Sequence, residues 1–480
     1  MQRTHSSTVL AALLAMTSTF CGPTQAQVPE GSAVFATSFS RAVPGTPGLF
    51  LVPLAGGALT RVTGLPPELS FAGPGTFPQG AFSVSYREAD GAIIVTTVAS
   101  AAGPTLGDVH LFALFLNGTT VDPLRTRSIV LGNTTTQGFV INSVLPDGRI
   151  LVRAASAGLF SSGPMANREL AIVDTSPSTP SVTVLPNTGT VGSWGGLACD
   201  PTGRLVYFPL TSGFPSPTVT LQRLDLVTQQ ICPIATWTSQ VANGIVCDDD
   251  GTLYVSAHDP NAIAHHVHTV RPDGCNPAAV TSTASSLALP AAGLALDRAS
   301  GRFVVAGGNN PTWPQGPQLN ALSVIDRGTG AVTVLATAPV GGFGIVGQLG
   351  VAVNNALGSY GRRSDGQSHF WFENVPNPGG QPLVGNGGFS FTLRAHANVP
   401  LASVLALSAG QGSTAFAGVE ILIDLGTLVT VMVPPGLSVR VPMPIPSDVA
   451  LRDAVLTAQS VHVEASLGFA ASRGLQLVIQ

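Results

Sequence analysis

The sequence predicts an all-β protein, because it combines few charges, many turn-forming residues and short runs of strand-forming residues. Of its 480 residues only 10% are charged, whereas 55 are Gly and 38 are Pro. Charged residues supply about a quarter of an ordinary soluble domain. Low charge, many turns and runs rich in Val, Thr and Leu are typical of many short strands, and not of helices or disorder.

The charge balance argues against a nucleic-acid partner. All 21 basic residues are Arg, the net charge is -4, and the Arg residues form no basic run. A nucleic-acid-binding protein normally carries a basic patch or stripe. We therefore expect a protein or polysaccharide partner, if any.

Residues 1–26 are predicted to be a signal peptide. Arg3 gives a weakly positive start, Val9–Phe20 is an apolar stretch, and Ala26 precedes the expected cleavage before Gln27. A lipoprotein anchor at Cys21 is the alternative, although Phe20 stands where a small residue is wanted. Since the apolar run is too short to span a bilayer, we expect an exported, extracellular or envelope protein without a membrane span.

The cysteines fit an exported chain. Four remain after cleavage, and all four are disulfide candidates: Cys199, Cys232, Cys247 and Cys275. An even number permits two disulfides in three possible connectivities. No CxxC pair is present, which argues against a zinc ribbon or a thioredoxin-type site.

A hairpin motif recurs about every 50 residues: an apolar strand, a turn usually containing Asp, a Gly, and a second strand. The repeated glycines are Gly91, Gly148, Gly203, Gly251 and Gly301. An Asp can bond its own backbone in such a turn, and Gly can take the positive φ that a tight hairpin needs.

A second hairpin follows most copies, so each unit has four strands, the pattern of a propeller blade. The first unit, Gly31–Thr63, lacks its leading strand, and Gly344–Asn355 resembles that missing strand. Pairing the two segments would leave no open edge. The prediction is a six-bladed β-propeller over 27–355.

Residues 356–480 predict a second domain, a β-sandwich of about seven strands. One segment, Ser447–Gln459, favours a short helix capped by Ser447.

The stretch Asn243–Ser256, NGIVCDDDGTLYVS, resembles the gluconolactonase and senescence-marker family of six-bladed propellers, and also NHL- and YVTN-type propellers. The first resemblance implies a divalent cation held by an early Glu, an Asn in an N-G-L motif and an Asp one blade later. Asn243 matches the Asn, but Ala292 stands at the Asp position. One neutral ligand does not hold a divalent cation against water, so a lactonase-like hydrolase is the alternative and not the first choice.

The starts of the leading strands predict a ligand-binding site at the mouth of the central channel. Gln79, Gln137, Trp194 and Asn243 occupy these starts. They supply no nucleophile or paired carboxylates, so no catalytic residue is assigned. No cofactor is expected; the turn Asp248–Asp250 leaves calcium or another divalent cation as an alternative.

Four histidines cluster in SAHDPNAIAHHVHTV. In a strand, His266 and His268 point to one face and His265 to the other. His266 and His268, with Asn243, are the weak candidates for a metal site. Surface or inter-blade packing is the favoured interpretation, because this segment falls in the middle of a blade.

The C-terminal segment resembles a module that recurs at the ends of secreted bacterial proteins. The matching residues are Tyr360–Gly361, GQPLVGNGGFSFTL from Gly380, PIPSDVALRDAVLTAQSV from Pro444, and SRGLQLVIQ at the end. The resemblance implies export. The favoured function is an exported, non-catalytic propeller that binds a protein or polymer ligand.

Overall fold

The fold is known from a computed structural model. Its described residues are 28, 32–38, 48–69, 81–87, 90–97, 107–134, 140–154, 158–175, 179–186, 195–213, 216–248, 251–259, 264–285, 287, 291–297, 301–307, 321–337, 345–354, 357–360, 370–373, 384–385, 389–395, 401–416, 419–434, 438–452, 454–463, 469–472 and 474–479. Regular structure within these ranges consists of β-strands and two short 3-10 helices. The all-β prediction is confirmed.

Contacts divide the chain into two units. The repeat unit comprises 26–297 and 302–354, and the C-terminal unit comprises 355–480 with 298–301 and 1–25. The domain limits expected from the sequence, 27–355 and 356–480, stay predictions.

The repeat unit contains six antiparallel sheets, numbered here in chain order. Sheet one has β1 (Ser32–Ser38), β2 (Gly48–Pro53) and β3 (Thr60–Arg61). Sheet two has β4 (Ala81–Arg87), β5 (Ala92–Thr97), β6 (Asp108–Leu114) and β9 (Arg127–Thr134), with a small hairpin of β7 (Leu116–Asn117) and β8 (Thr120–Val121) between the last two. Sheet three has β10 (Val140–Val144), β11 (Ile150–Ala154), β13 (Leu170–Asp174) and β14 (Ser181–Val184); the intervening β12 (Phe160–Ser162) pairs with β9 of sheet two.

The remaining three sheets have four strands each. Sheet four has β15 (Ala198–Cys199), β16 (Leu205–Ser212), β17 (Thr218–Asp225) and β18 (Ile231–Thr238). Sheet five has β19 (Val241–Cys247), β20 (Leu253–Asp259), β21 (Ala264–Val270) and β22 (Val280–Ser285). Sheet six has β23 (Ala291–Asp297), β24 (Arg302–Gly307), β25 (Ala321–Ile325) and β26 (Val332–Thr337).

A late strand completes sheet one. Strand β27 (Ile345–Asn354) pairs antiparallel with β1, with Ser32 opposite Asn354 and Phe35 opposite Val351. The predicted pairing of these distant segments is confirmed. A single parallel bridge then joins β27 to β4 of sheet two.

The sheets follow one another in a cycle. The inner strand of each sheet is β27, β4, β10, β15, β19 or β23, and each neighbours the next, with β23 returning to β27. One hydrophobic cluster fills each of the six boundaries, including that between sheets six and one, where Val304 and Val324 pack with Phe35 and Val353. The repeat unit is therefore a propeller-like β fold.

Two kinds of glycine explain why the motif repeats. The five turn glycines all have positive φ, from 68° at Gly301 to 84° at Gly148. At the inner strands a Cβ on Gly196 would lie 2.7 Å from the backbone N of Ile245, and one on Gly244 would lie 2.7 Å from that of Leu294. The leading glycine therefore lets neighbouring inner strands approach closely.

Eleven strands lie within the described ranges of the C-terminal unit. They are β28 (Leu357–Tyr360), β29 (Phe370–Glu373), β30 (Ser390–Ala395), β31 (Ala402–Ser408), β32 (Gln411–Phe416), β33 (Val419–Ile423), β34 (Val429–Val433), β35 (Ser438–Pro442), β36 (Val455–Val463), β37 (Phe469–Ala471) and β38 (Gly474–Val478). A six-stranded and a three-stranded sheet share one hydrophobic cluster, to which Leu405 and Leu393 belong. The sandwich stays a prediction.

The helix expected at Ser447–Gln459 is wrong. A 3-10 turn at Val449–Leu451 is capped by Asp448, whose side chain accepts from the N–H of Ala450. The rest of the segment belongs to strand β36, because Leu456 and Ala458 enter the core with Leu405. Tertiary packing thus overrides the local helical pattern.

Candidate functional site: the histidine cluster of sheet five

The two ends of the sheets differ in chemistry. The turn end carries the repeated hairpin turns and several ion pairs, for example Arg327 with Asp248 at 3.0 Å. The opposite end, here the loop end, is where the inner strands begin. In sheet five this end carries amide, hydroxyl and imidazole groups.

Asn243 lies at a bulge near the start of inner strand β19. Ala242 pairs with Ala257 and Gly244 with Ser256, so Asn243 is the extra residue. The bulge turns its side chain inward, where 3% is exposed. Its Nδ2 donates to Nδ1 of His258 at 2.6 Å. The carboxamide is therefore bonded within the sheet, and the ligand-binding role of Asn243 stays a prediction.

His258 is buried and neutral near pH 7. Burial lowers its pKa to about 4, although the Asp259 carboxylate acts in the opposite direction. Since Nδ1 accepts from Asn243, the neutral ring carries its proton on Nε2.

His265 lies directly across from His258 on strand β21 and is 1% exposed. Its Nε2 is 2.9 Å from Oγ of Ser256, and its Nδ1 is 2.6 Å from Oγ of Ser285. Burial, reinforced by the neighbouring imidazoles, lowers its pKa to about 3. Both ring nitrogens therefore bond to internal hydroxyls. Ser256, which is fully buried, is not an accessible nucleophile.

His266 and His268 share the opposite face, as the sequence predicts. Their rings are stacked, with centroids 6.2 Å apart and planes 3° from parallel. A metal ion lies in the plane of each imidazole that binds it, and two stacked parallel planes share no point. In this conformation the two rings do not present their nitrogens to one ion.

His268 packs at the boundary with sheet four. Its ring lies 4.9 Å from that of Trp237 on β18, and its Nε2 donates to Oε1 of Gln240. Burial lowers its pKa to about 4, helped by His266. The packing role favoured from the sequence fits this residue. Trp237 and Gln240 were missed, because they lie about 30 residues away with no local signal linking them to His268.

Other predicted sites have different outcomes. Gln79, Gln137 and Trp194 lie outside the described residues. Within the described ranges, no three His, Cys, Asp or Glu side chains converge as ligands for one ion.

No helix of the described chain has the length and hydropathy to cross a membrane.

One pair of the four candidate cysteines is bonded. Cys232 of β18 and Cys275 form a disulfide across the boundary between sheets four and five. Cys199 and Cys247 are thiols in this structure. They precede the repeat turn in adjacent sheets, but they pack against different clusters: Cys199 faces sheet three, whereas Cys247 faces sheet four.

Comparison with known proteins identifies no family. No family description matches the chain, and no curated protein does. Among solved structures, a candidate 6-phosphogluconolactonase from Bacteroides uniformis has 13% identity and a TM-score of 0.37, covering 64% of this chain and 95% of that chain. A puromycin hydrolase variant has 13% identity and a TM-score of 0.37, with coverages of 94% and 60%.

A third solved structure is the extracellular domain of a candidate one-component system from B. thetaiotaomicron. It has 10% identity and a TM-score of 0.35, with coverages of 94% and 56%. This chain therefore spans about 60% of the hydrolase variant and 56% of the one-component system domain. Likenesses this distant carry no functional inference, and the fold assignment rests on the strand pairing alone.

Proposed function

We propose that the chain is an exported, non-catalytic binding protein built on a six-bladed propeller, with a protein or polymer ligand at the loop end. This proposal depends on one observation: the polar side chains of the cluster in sheet five point into the protein and form hydrogen bonds there. Asn243, Ser256 and His265 are buried. Asn243 bonds His258, and His265 bonds Ser256 and Ser285. These side chains therefore offer solvent no nucleophile, base or ligand set.

The distribution of ion pairs distinguishes the two ends of the sheets. At the turn end, ion pairs form within one turn, as between Arg87 and Asp90, and between neighbouring turns, as between Arg327 and Asp248. Arg87, for example, donates to Asp90 and to the carbonyl of Gly148 in the next sheet. The loop end of the described sheets carries amide, hydroxyl and imidazole groups together with a few charged side chains, such as Asp108, Arg168 and Asp259, a polar surface suited to a protein or polymer ligand.

Export is supported by the apolar leader and by the cystine. Disulfides persist in oxidising compartments and are rare in the cytosol. The Cys232–Cys275 bond lies at the surface-facing outer strand of sheet four, where a reducing compartment would reach it.

The test is a binding assay on the mature protein from Gln27 onward. It uses insoluble polysaccharides and cell-surface protein extracts as ligands, with lactone hydrolysis measured in parallel. We expect saturable binding that a chelator does not change, weakened by Trp194→Ala and retained by the turn-end control Arg149→Gln. Lactone hydrolysis that requires a divalent cation, or the lack of any saturable binding, would overturn the proposal.

A further inference from the structure

We propose that the boundary between sheets four and five is an acid-sensitive latch. On protonation of His268 it opens at the loop end, while the Cys232–Cys275 disulfide holds the turn end as a pivot. This inference rests on the packing of the two sheets and is independent of the ligand proposed above.

The latch consists of three side chains, of which Trp237 and Gln240 lie near the loop end of sheet four and His268 lies within β21 of sheet five. Trp237 comes from β18 of sheet four, His268 from β21 of sheet five, and Gln240 from the connection between the sheets. The ring centroids of Trp237 and His268 are 4.9 Å apart, and His268 is 4% exposed. Because one imidazole contacts both the outer strand of sheet four and the inter-sheet connection, it holds the boundary closed.

The neutral imidazole of His268 fits the boundary between sheets four and five, and the charged imidazolium does not. Nε2–H of His268 donates to the amide oxygen of Gln240. Nδ1 is buried and has no hydrogen-bond partner among the described residues. A second proton would go to Nδ1, and it would leave a charged donor in the boundary without an acceptor. An unpaired buried charge is far more costly than an unpaired neutral acceptor.

The groups around His268 provide no compensating negative charge. Its own strand contributes His266, β20 contributes Val255 as the cross-strand partner, and β22 contributes Ser282. The stacked ring of His266 lies beside that of His268 and supplies no negative charge.

Further groups line the boundary towards the turn end: Tyr207, Arg223, Asp225 and Cys247. Burial raises the pKa of Tyr207 and keeps it neutral in mild acid, while the hydrogen bonds from Arg204 hold the pKa of Asp225 near 2. Tyr207 and Asp225 therefore keep their charge in mild acid, whereas His268 gains a positive charge.

The opposite end of the same boundary is covalently closed. The β21–β22 connection reaches sheet four through Cys275, which bonds Cys232, and through Ala278, whose N–H donates to the carbonyl of Ile234 at 2.7 Å. Arg223 Nη1 also contacts Sγ of Cys275 at 3.1 Å. Since the disulfide lies beside the turns, whereas Trp237 and Gln240 lie near the loop end of sheet four, opening can pivot about the disulfide.

Hydrogen exchange on the full mature, oxidised protein tests the latch, after correction for the intrinsic pH dependence of exchange. Peptides covering β18 and β21 are compared with reference peptides covering β11 and β13. We expect the β18 and β21 peptides to lose protection by about tenfold per pH unit between about pH 6 and about pH 4, the change that one depressed imidazole produces. The reference peptides should change less.

The matched variants are His268→Gln and His266→Gln. His268→Gln should remove most of the pH dependence of protection in β18, which contains no histidine, whereas His266→Gln should retain most of it. If His268→Gln does not fold, overlapping peptides of the wild-type protein and of Trp237→Phe decide: within β18 the loss must start near Trp237 and spare the turn-end part that contains Cys232. Equal loss at both ends, or equal pH dependence in wild type and His268→Gln, would overturn the latch.

Discussion

Asn243 donates a 2.6 Å hydrogen bond from its carboxamide to Nδ1 of His258, inside the sheet and not at its exposed end. The residue that most resembles a metal ligand in the sequence is therefore part of an internal polar network. The bond joins the first two strands of sheet five and sets the tautomer of His258.

We expect Asn243→Ala to lower the free energy of unfolding by about 1–3 kcal/mol, because it leaves a buried acceptor on His258 without its donor. Chemical denaturation of the mature protein measures the change. Asn276→Ala is the matched control, since that carboxamide is exposed and bonds Asp273 on the surface. Equal changes for the two variants would contradict the buried role.

Stability should fall in acid. The pKa values of His258, His265 and His268 in the folded state are about 4, 3 and 4, below the ordinary value of 6.5. The unfolded chain therefore binds more protons in acid. The stability is fully present above about pH 6.5 and is lost as pH falls towards these lower values. The slope approaches about 4 kcal/mol per pH unit if all three act together.

Denaturant midpoints measured across this pH range check the effect. His268→Gln should reduce the slope by about a third, because one of the three groups no longer titrates. A midpoint that stays constant from neutral pH to about pH 4.5 would contradict the burial of these rings.

Adding a methyl group at the inner strands should destabilise the cycle of sheets. We expect Gly244→Ala to lower stability by about 1–3 kcal/mol, because its Cβ would meet the backbone of the next inner strand. Gly158→Ala is the control, since a Cβ there has no atom within 4 Å. Thermal unfolding of both variants makes the comparison, and a tolerated Gly244→Ala would argue against close inner strands.

Removing the disulfide should cost about 2–4 kcal/mol of stability. Cys232→Ser and the double variant Cys232→Ser/Cys275→Ser should lose similar amounts, because either change breaks the same bond. Cys199→Ser, which leaves that bond intact, should lose less. Denaturation under oxidising conditions measures this series, and a stability unaffected by Cys232→Ser would count against the bond.

The interior ion pair of sheet three should be sensitive to removal of one partner. Arg153 and Glu169 are 3.1 Å apart and each is 1% exposed, and the guanidinium lies 4.6 Å from the Phe208 ring of sheet four. Glu169→Gln should cost about 3–5 kcal/mol, because it leaves a buried positive charge. The double variant Arg153→Met/Glu169→Leu should recover most of that loss in the same denaturation assay. If the double variant recovers no stability, the loss in Glu169→Gln comes from the missing ion pair itself and not from the unpaired charge of Arg153.

Local chemistry explains what the sequence could predict. A turn such as that of Gly251 is encoded by adjacent residues, and the alternation of His265 and His266 follows from strand geometry. The bulge at Asn243 has no comparable local signal, so its inward turn was not foreseen. Contacts such as Trp237 with His268 depend on how two sheets pack. The prediction of a C-terminal helix is wrong for the same reason. The pattern near Leu456 fits a helix locally, but packing in the core stabilises a strand.

The central claim is that a late strand closes the cycle of sheets by pairing with the first one. The direct measurement is disulfide cross-linking between substituted cysteines, with the cross-linked peptides identified by mass spectrometry. Ala33→Cys/Val353→Cys joins residues that lie directly opposite. Val34→Cys/Val353→Cys is the control, because neighbouring positions on a strand point to opposite faces. Efficient cross-linking of the first pair alone is the predicted result, and failure of the first pair or equal cross-linking of both would contradict a closed cycle.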